Sequence, residues 1–320
     1  MSNNYQEKYL QLEEEVLNMK KYLTFNDEQV NVYSPATGDI ILLISAQIES
    51  IAKEMYKDTT GDNSRKKFDY DCIEYFIKEW SLDKKIVELN HQSIYISTKI
   101  YKPFENNESK TGNGSPIFGW NNAYQNIKHD KVNSLPYQSV KYVLESLAAL
   151  YLLNVYYNYQ QQLSVSLNES NNIDCRFNSK IFSIRKYNFG VNIKDRYPKN
   201  DEYYESSLII VPEENSFNKF MEVNTQNLER KGQLMLDKIS EQLGYQHLNI
   251  KSVNNQLVIN NVPVGFDGEK FSIEFTKAFK ELQSTSSLEY EIKALQENQV
   301  ATATAFMNIK YNVEINKNQY

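Results

Sequence analysis

Three histidines, His91, His129 and His247, are the residues in this chain best suited to proton transfer near neutral pH. No two stand at metal-ligating spacing, and there is no H-E-x-x-H. The chain has no P-loop, no G-x-G-x-x-G and no G-x-S-x-G. These gaps argue against zinc or iron enzymes, nucleotide hydrolysis, Rossmann redox chemistry and α/β-hydrolase chemistry. No cofactor and no metal are expected. One reaction open to a histidine without a metal is cleavage of RNA. That reaction removes a proton from a 2′-hydroxyl, gives one to the 5′-oxygen and stabilises a phosphorane, and histidine can do either transfer. His129 is the candidate, set between Lys128 and Asp130. Lys128 or Lys131 would supply positive charge, and Asn122 and Asn126 would orient the phosphate. The plainer alternative is that His129 and Asp130 cap and pin a helix end.

These residues need a helix to hold them. Over Trp120–Lys131, Trp120, Tyr124 and Ile127 fall on one apolar face. Asn122, Gln125, Asn126 and His129 fall on another. Pro136 breaks the pattern, since it lacks an N–H and clashes with the preceding turn. A second helix then starts near Tyr137. Val140, Val143, Leu144, Leu147, Tyr151 and Val155 form a long buried stripe on it, and Ala148 and Ala149 permit a close crossing.

Trp, then Tyr, then Lys-His-Asp-Lys, then a long Leu/Ala-rich helix resembles the prokaryotic HEPN-like proteins. The resemblance covers roughly the first half of the chain. It implies an α-helical bundle, usually paired, and a role as ribonuclease toxin or as part of an antiviral defence system. Active members carry Arg, then four to six residues, then His; His transfers protons and Arg holds the phosphate. His129 fits the His position, whereas the Arg positions hold Asn122, Ala123 and Tyr124. The resemblance also implies an acidic residue near Glu49, facing His129 across the bundle. The local reading pairs Glu49 with Lys53 at i,i+4, worth ~0.2–0.5 kcal/mol.

The remaining elements follow from periodicity. Residues 5–23 read as a helix with Tyr9, Leu12, Val16, Met19 and Leu23 on its apolar side, either docked on the bundle or forming a dimerising coiled coil. Ser34-Pro35 is a helix start, followed by Ile40, Leu43, Ile44, Ile48, Ile51 and Met55 inward and Ser45, Glu49 and Lys53 as a polar line. Phe68–Trp80 is a further helix. I-V-E-L and S-I-Y-I-S-T-K-I-Y read as a β-hairpin, with His91 exposed at its turn. Residues 105–116 are a loop. A boundary is expected between Leu163 and Asp174. Beyond it, strands are expected at Lys180–Tyr187 and Ser206–Val211, a helix at Asn224–Gly244 and a hairpin about Asn254-Asn255. Another helix is expected at Phe271–Leu282, then a final strand over Met307–Ile315. The fold class is therefore α+β: a helical bundle with a hairpin insert over 1–165, then a mixed α+β domain over 175–320.

Composition bounds the partners. The net charge of −6 confines nucleic-acid binding to a local patch. Cys72 and Cys175 have no C-x-x-C spacing and read as small buried hydrophobes. The polar start M-S-N-N-Y-Q-E-K carries no signal peptide, and no apolar run approaches the ~20 residues of a membrane span, so a cytoplasmic location is expected. The function that the HEPN-like resemblance implies is a metal-independent endoribonuclease toxin acting on RNA as a homodimer. Its active residues would be His129, Lys128, Asn122, Asn126, Asp130 and Glu49. The alternative is a non-catalytic assembly protein whose second half binds a partner or ligand through its hairpins and Tyr197, Tyr203 and Tyr204. A rival metal-nuclease core at Glu213, Glu214, Glu222, Arg230 and Lys231 lacks the usual spacing.

Overall fold

A computed structural model describes residues 4–106, 118–159, 163–189, 200–243, 248–253, 256–260, 262, 267–284 and 300–319. The fold is mixed α+β, mostly helical with small sheets. The helices are α1 (Asn4–Asn18), α2 (Pro35–Thr60), α3 (Glu74–Trp80), α4 (Gly119–His129), α5 (Val140–Asn158), α6 (Leu167–Asn171), α7 (Asp201–Glu205), α8 (Glu214–Leu243) and α9 (Gly268–Ser284). The strands are β1 (Val87–Leu89), β2 (Ile100–Tyr101), β3 (Leu163–Ser166), β4 (Phe182–Ile184), β5 (Lys186–Asn188), β6 (Leu208–Pro212), β7 (Asn249–Val253), β8 (Gln256–Asn260) and β9 (Lys310–Ile315). They pair in the orders β2-β1-β4, β3-β9-β6-β5 and β7-β8. The chain divides into two compact units. One comprises Met1–Leu163, Ser170–Val211 and Asn312–Tyr320; the other comprises Ser164–Glu169 and Pro212–Tyr311.

The first unit is built round α5. Its buried residues go right round the helix, including Leu144, Leu147, Ala148, Ala149, Leu152 and Leu153, because α1, α2, α4 and β4 all pack on it. The expected stripe is thus the whole circumference. The most extensive partner is α2. It starts at Ser34 with a capping box: Thr37 N–H donates to Ser34 Oγ at 3.2 Å and Ser34 N–H to Thr37 Oγ1 at 2.9 Å. Such a cap is worth about 1 kcal/mol. Ile41, Ile44, Ile48, Ile51 and Met55 face inward, and Ser45 is buried with them rather than on the polar line. Leu43 is 50% exposed, because at ~100° per residue it falls well off the stripe. A Cβ on Gly38 would stand 2.6 Å from Gln138 Oε1, so a missing side chain lets the Leu135–Gln138 turn lie against α2.

The docked reading of α1 holds: Tyr9, Leu12 and Val16 are buried, and α1 packs on α2 and α5. The Phe68–Trp80 helix opens with a π-helical turn, Phe68–Ile73, before α3. The expected hairpin is met only in part: β1 pairs with β2, Val87 opposite Tyr101 and Glu88 opposite Ile100, but the tight turn at residues 90–92 does not form and residues 90–99 are no strand, Tyr95 bridging to Asn26 instead. Strand β1 also pairs antiparallel with β4, Leu89 opposite Phe182.

That second pairing draws Ser170–Val211 into the first unit instead of into a domain beginning at 175. A buried carboxylate reinforces it. Glu13, 1% exposed, accepts bonds from Tyr9 Oη at 2.8 Å, Lys180 N at 3.0 Å, Ile181 N at 3.1 Å and the Ser179 hydroxyl. Just before this anchor, Phe177 (φ 48°) and Asn178 (φ 68°) are left-handed, at roughly 1–2 kcal/mol each. Tyr151 Oη holds that turn from within, donating to the carbonyls of Cys175 at 2.9 Å and Arg176 at 3.1 Å. The end of the chain also returns here, Tyr156 Oη donating to Asn316 O at 2.8 Å.

In the second unit α8 starts ten residues earlier than its apolar pattern, at Glu214, and packs on α9 and β7. Phe217, Phe220 and Phe306 follow one another at ring separations of 6.3 and 5.8 Å. β7 and β8 pair antiparallel from Asn249–Asn260 to Val253–Gln256. Residues 300–307 are helical, so the last strand begins at Lys310 rather than Met307. Gly244, the Asn254-Asn255 turn and the loop beyond Asn106 lie outside the described residues. Among the described residues no helix is long and apolar enough to cross a membrane.

Candidate functional site

Helix α4 is fixed by its apolar side. Trp120 Nε1 donates to Pro103 O at 2.8 Å, and its ring stacks on Phe118 with centroids 6.0 Å apart. Ala123, Tyr124 and Ile127 are buried with it. The opposite side therefore faces out, and His129 ends the helix, exposed and without a hydrogen-bond partner among the described residues.

The neighbouring candidates are more committed. Asn126 Nδ2 donates to Asn122 O at 2.8 Å and to Asn122 Oδ1 at 3.1 Å, so both amides serve the helix itself. Asp130 closes a turn, accepting from Asn133 Nδ2 at 2.7 Å and Asn133 N at 3.1 Å; these bonds hold its carboxyl below the usual range. Lys128 donates to Tyr124 Oη at 3.3 Å and lies 5.2 Å from that ring's centre. The Tyr124 hydroxyl raises the Lys128 pKa first, with Glu49 and Asp69 adding to it. Lys131 pairs with Asp39. Glu49 pairs with Lys53 at 2.5 Å. Glu49 thus acts on Lys128 through its field, and no hydrogen bond or ion pair joins it to His129. The helix end gathers His129, Lys128, Asp130 and Lys131 on one exposed turn.

His91 departs from the exposed position expected at its turn. It is half-buried, and Nδ1 accepts from Ser93 N at 3.2 Å. Burial first, then Lys20, lowers its pKa. Tyr203 is no recognition residue: it is 2% exposed and packs with Phe189 and Ile209. Tyr204 carries Lys84 over its ring at 4.6 Å. His247 and Tyr197 lie outside the described residues. The rival acidic site is dispersed, Glu213 taking a bond from Ser164 Oγ and Glu222 one from Gln226. Among the described residues no group of three or more His, Cys, Asp or Glu could hold a metal.

Two titratable groups, one half-buried and one buried, were not legible as such. Glu145 on α5 lies against Gly119, where a Cβ would meet its Oε2 at 2.7 Å. Burial raises its pKa to about 7, with Lys141 at 3.9 Å opposing. Lys85 is fully buried, donates to Ser206 O at 3.0 Å, and is lowered by burial to about 7. Comparison with known protein families, with curated proteins and with solved structures gives no match.

Proposed function

We propose that the protein is a metal-independent endoribonuclease of the HEPN-like kind, acting as a homodimer in prokaryotic defence. The observation that carries this reading is the exposed His129 imidazole, without a hydrogen-bond partner among the described residues, on a turn with Lys128 and Lys131. His129 performs one proton transfer and a second copy's His129 the other. Lys128 and Lys131 take the phosphate. An exposed ion pair such as Lys131–Asp39 is worth only ~0.2–1 kcal/mol, so an incoming phosphate displaces it readily.

A second reading is a non-catalytic assembly or ligand-binding protein. It is supported by the internal bonding of Asn122 with Asn126 and of Asp130 with Asn133, and by Asn122, Ala123 and Tyr124 standing where the family has Arg. An RNase assay in EDTA separates the two. EDTA-resistant cleavage with 2′,3′-cyclic phosphate ends, falling about 10²–10⁴-fold in His129→Ala, is expected of the enzyme. Cleavage unchanged in folded His129→Ala rejects His129. No cleavage under any RNA or cell-lysate condition moves the reading to assembly.

A further inference from the structure

A different histidine stands in a better-built setting. Segments 19–27 and 91–97 run side by side, with Asn26 bridged in parallel to Tyr95 and Tyr95 N donating to Phe25 O at 2.7 Å. This brings Lys20 to the Ser93 hydroxyl, which also stands 3.2 Å from His91 Nδ1. The Ser93 backbone N–H donates to the same Nδ1, so the neutral ring carries its proton on Nε2. Arg176 and Lys180 also act on this ring. One cation, Lys20, thus stands beside the imidazole, and the fields of Arg176 and Lys180 reach it against that of Glu13, on a chain of net charge −6.

The opposing carboxylates are already engaged. Glu13 is buried and filled by the bonds that anchor 179–181. Glu14 pairs with Lys180 at 2.7 Å, both side chains more than half exposed. Arg176 is exposed on the left-handed turn that Tyr151 pins from beneath, so its backbone is held before any ligand arrives. Beside the cluster, Tyr22 and Tyr95 are 87% and 66% exposed. Basic groups with exposed aromatic rings are what single-stranded nucleic acid uses: cations take the phosphates and rings stack on bases.

We propose that Lys20, His91, Ser93, Arg176 and Lys180 form a phosphate-binding site for single-stranded RNA, with Tyr22 and Tyr95 as stacking platforms. Lys20 and the Ser93 hydroxyl donate to the phosphate, the fields of Arg176 and Lys180 add to its attraction, and the chain bonds nothing covalently. A bound phosphate raises the His91 pKa towards protonation, so affinity rises as pH falls. The site does not rest on the His129 reading, because binding is measured in the His129→Ala protein.

The test is fluorescence anisotropy with a labelled single-stranded RNA of about ten nucleotides, paired with an NMR pH titration of the His91 ring protons. Expected is salt-dependent binding weakened at least tenfold in Lys20→Gln/Arg176→Glu. The slope of log K against log salt should fall by about 0.7 for each phosphate that the variant no longer neutralises. Lys219→Glu, on exposed α8, should bind as before. Tyr22→Ala/Tyr95→Ala should weaken RNA but leave the response to inorganic phosphate intact. The His91 pKa should rise when RNA is added. RNA bound equally by the double variant and by Lys219→Glu overturns the site, as does a His91 pKa that RNA does not move. A His91 response to AMP or inorganic phosphate without RNA binding overturns the RNA assignment.

Discussion

Glu145 is the only charged residue between Val143 and Asn158 and sits half-buried on α5. Its carboxyl is raised from 4.5 to about 7 by burial. A raised folded-state value means the native protein holds the proton more tightly than the unfolded chain. Stability is then fully present below about 4.5 and is lost as pH rises through 7, by up to about 3 kcal/mol for this shift. Glu145→Gln should therefore match the wild type near pH 4 and unfold at higher denaturant near pH 8. Chemical denaturation at the two pH values reads this directly; equal midpoint differences at both would remove Glu145 as the source. The charge itself is visible in the sequence. Its partial burial is not, because Gly119, which lies against it, is distant along the chain. His91 illustrates the same limit: a turn histidine reads as exposed until segment 19–27 is laid beside it.

At the scale of elements, local patterns were legible and partnerships were not. The Ser34 cap, the inward faces of α2 and α4 and the break at Pro136 follow from short-range chemistry. The compact units change over within the expected boundary, Leu163 to Asp174, but Ser170–Val211 returns to the first unit, because nothing local says that β4 will join β1 or that Glu13 will face the 179–181 backbone. Within E-E-E at 13–15 all three look solvated; only the stripe of Tyr9, Leu12 and Val16 hints that Glu13 lies beside it. Glu13→Ala strips acceptors from the backbone N–H groups of Lys180 and Ile181 and from Tyr9 and Ser179. Each buried donor left alone costs about 1–3 kcal/mol, so a loss of about 3 kcal/mol or more is expected. The loss should be accompanied by faster amide exchange at Lys180 and Ile181. A variant as stable and as protected as the wild type would show that this anchor is dispensable.

For the whole molecule, the decisive quantity is the number of proton-transfer groups at one site. Cleavage of RNA needs a base and an acid, and the end of α4 in one copy carries one histidine and a carboxylate already closed into a turn. If the ribonuclease reading holds, the reaction belongs to two copies. Specific activity should then rise with protein concentration through the dimer equilibrium. It should also fall more steeply than dilution when wild-type protein is equilibrated with excess His129→Ala, since most wild-type copies then face a partner without imidazole. The physical reason is mass action: at ninefold excess and equal affinity, about nine in ten wild-type copies sit in mixed pairs. Mixed assays with sedimentation to follow pairing distinguish this from a site complete within one chain, where activity tracks the amount of wild-type protein. Proportional activity would place both proton transfers inside a single copy and send the search for the second group to carboxyls near Lys128, with Glu49 and Asp69 the first to be replaced.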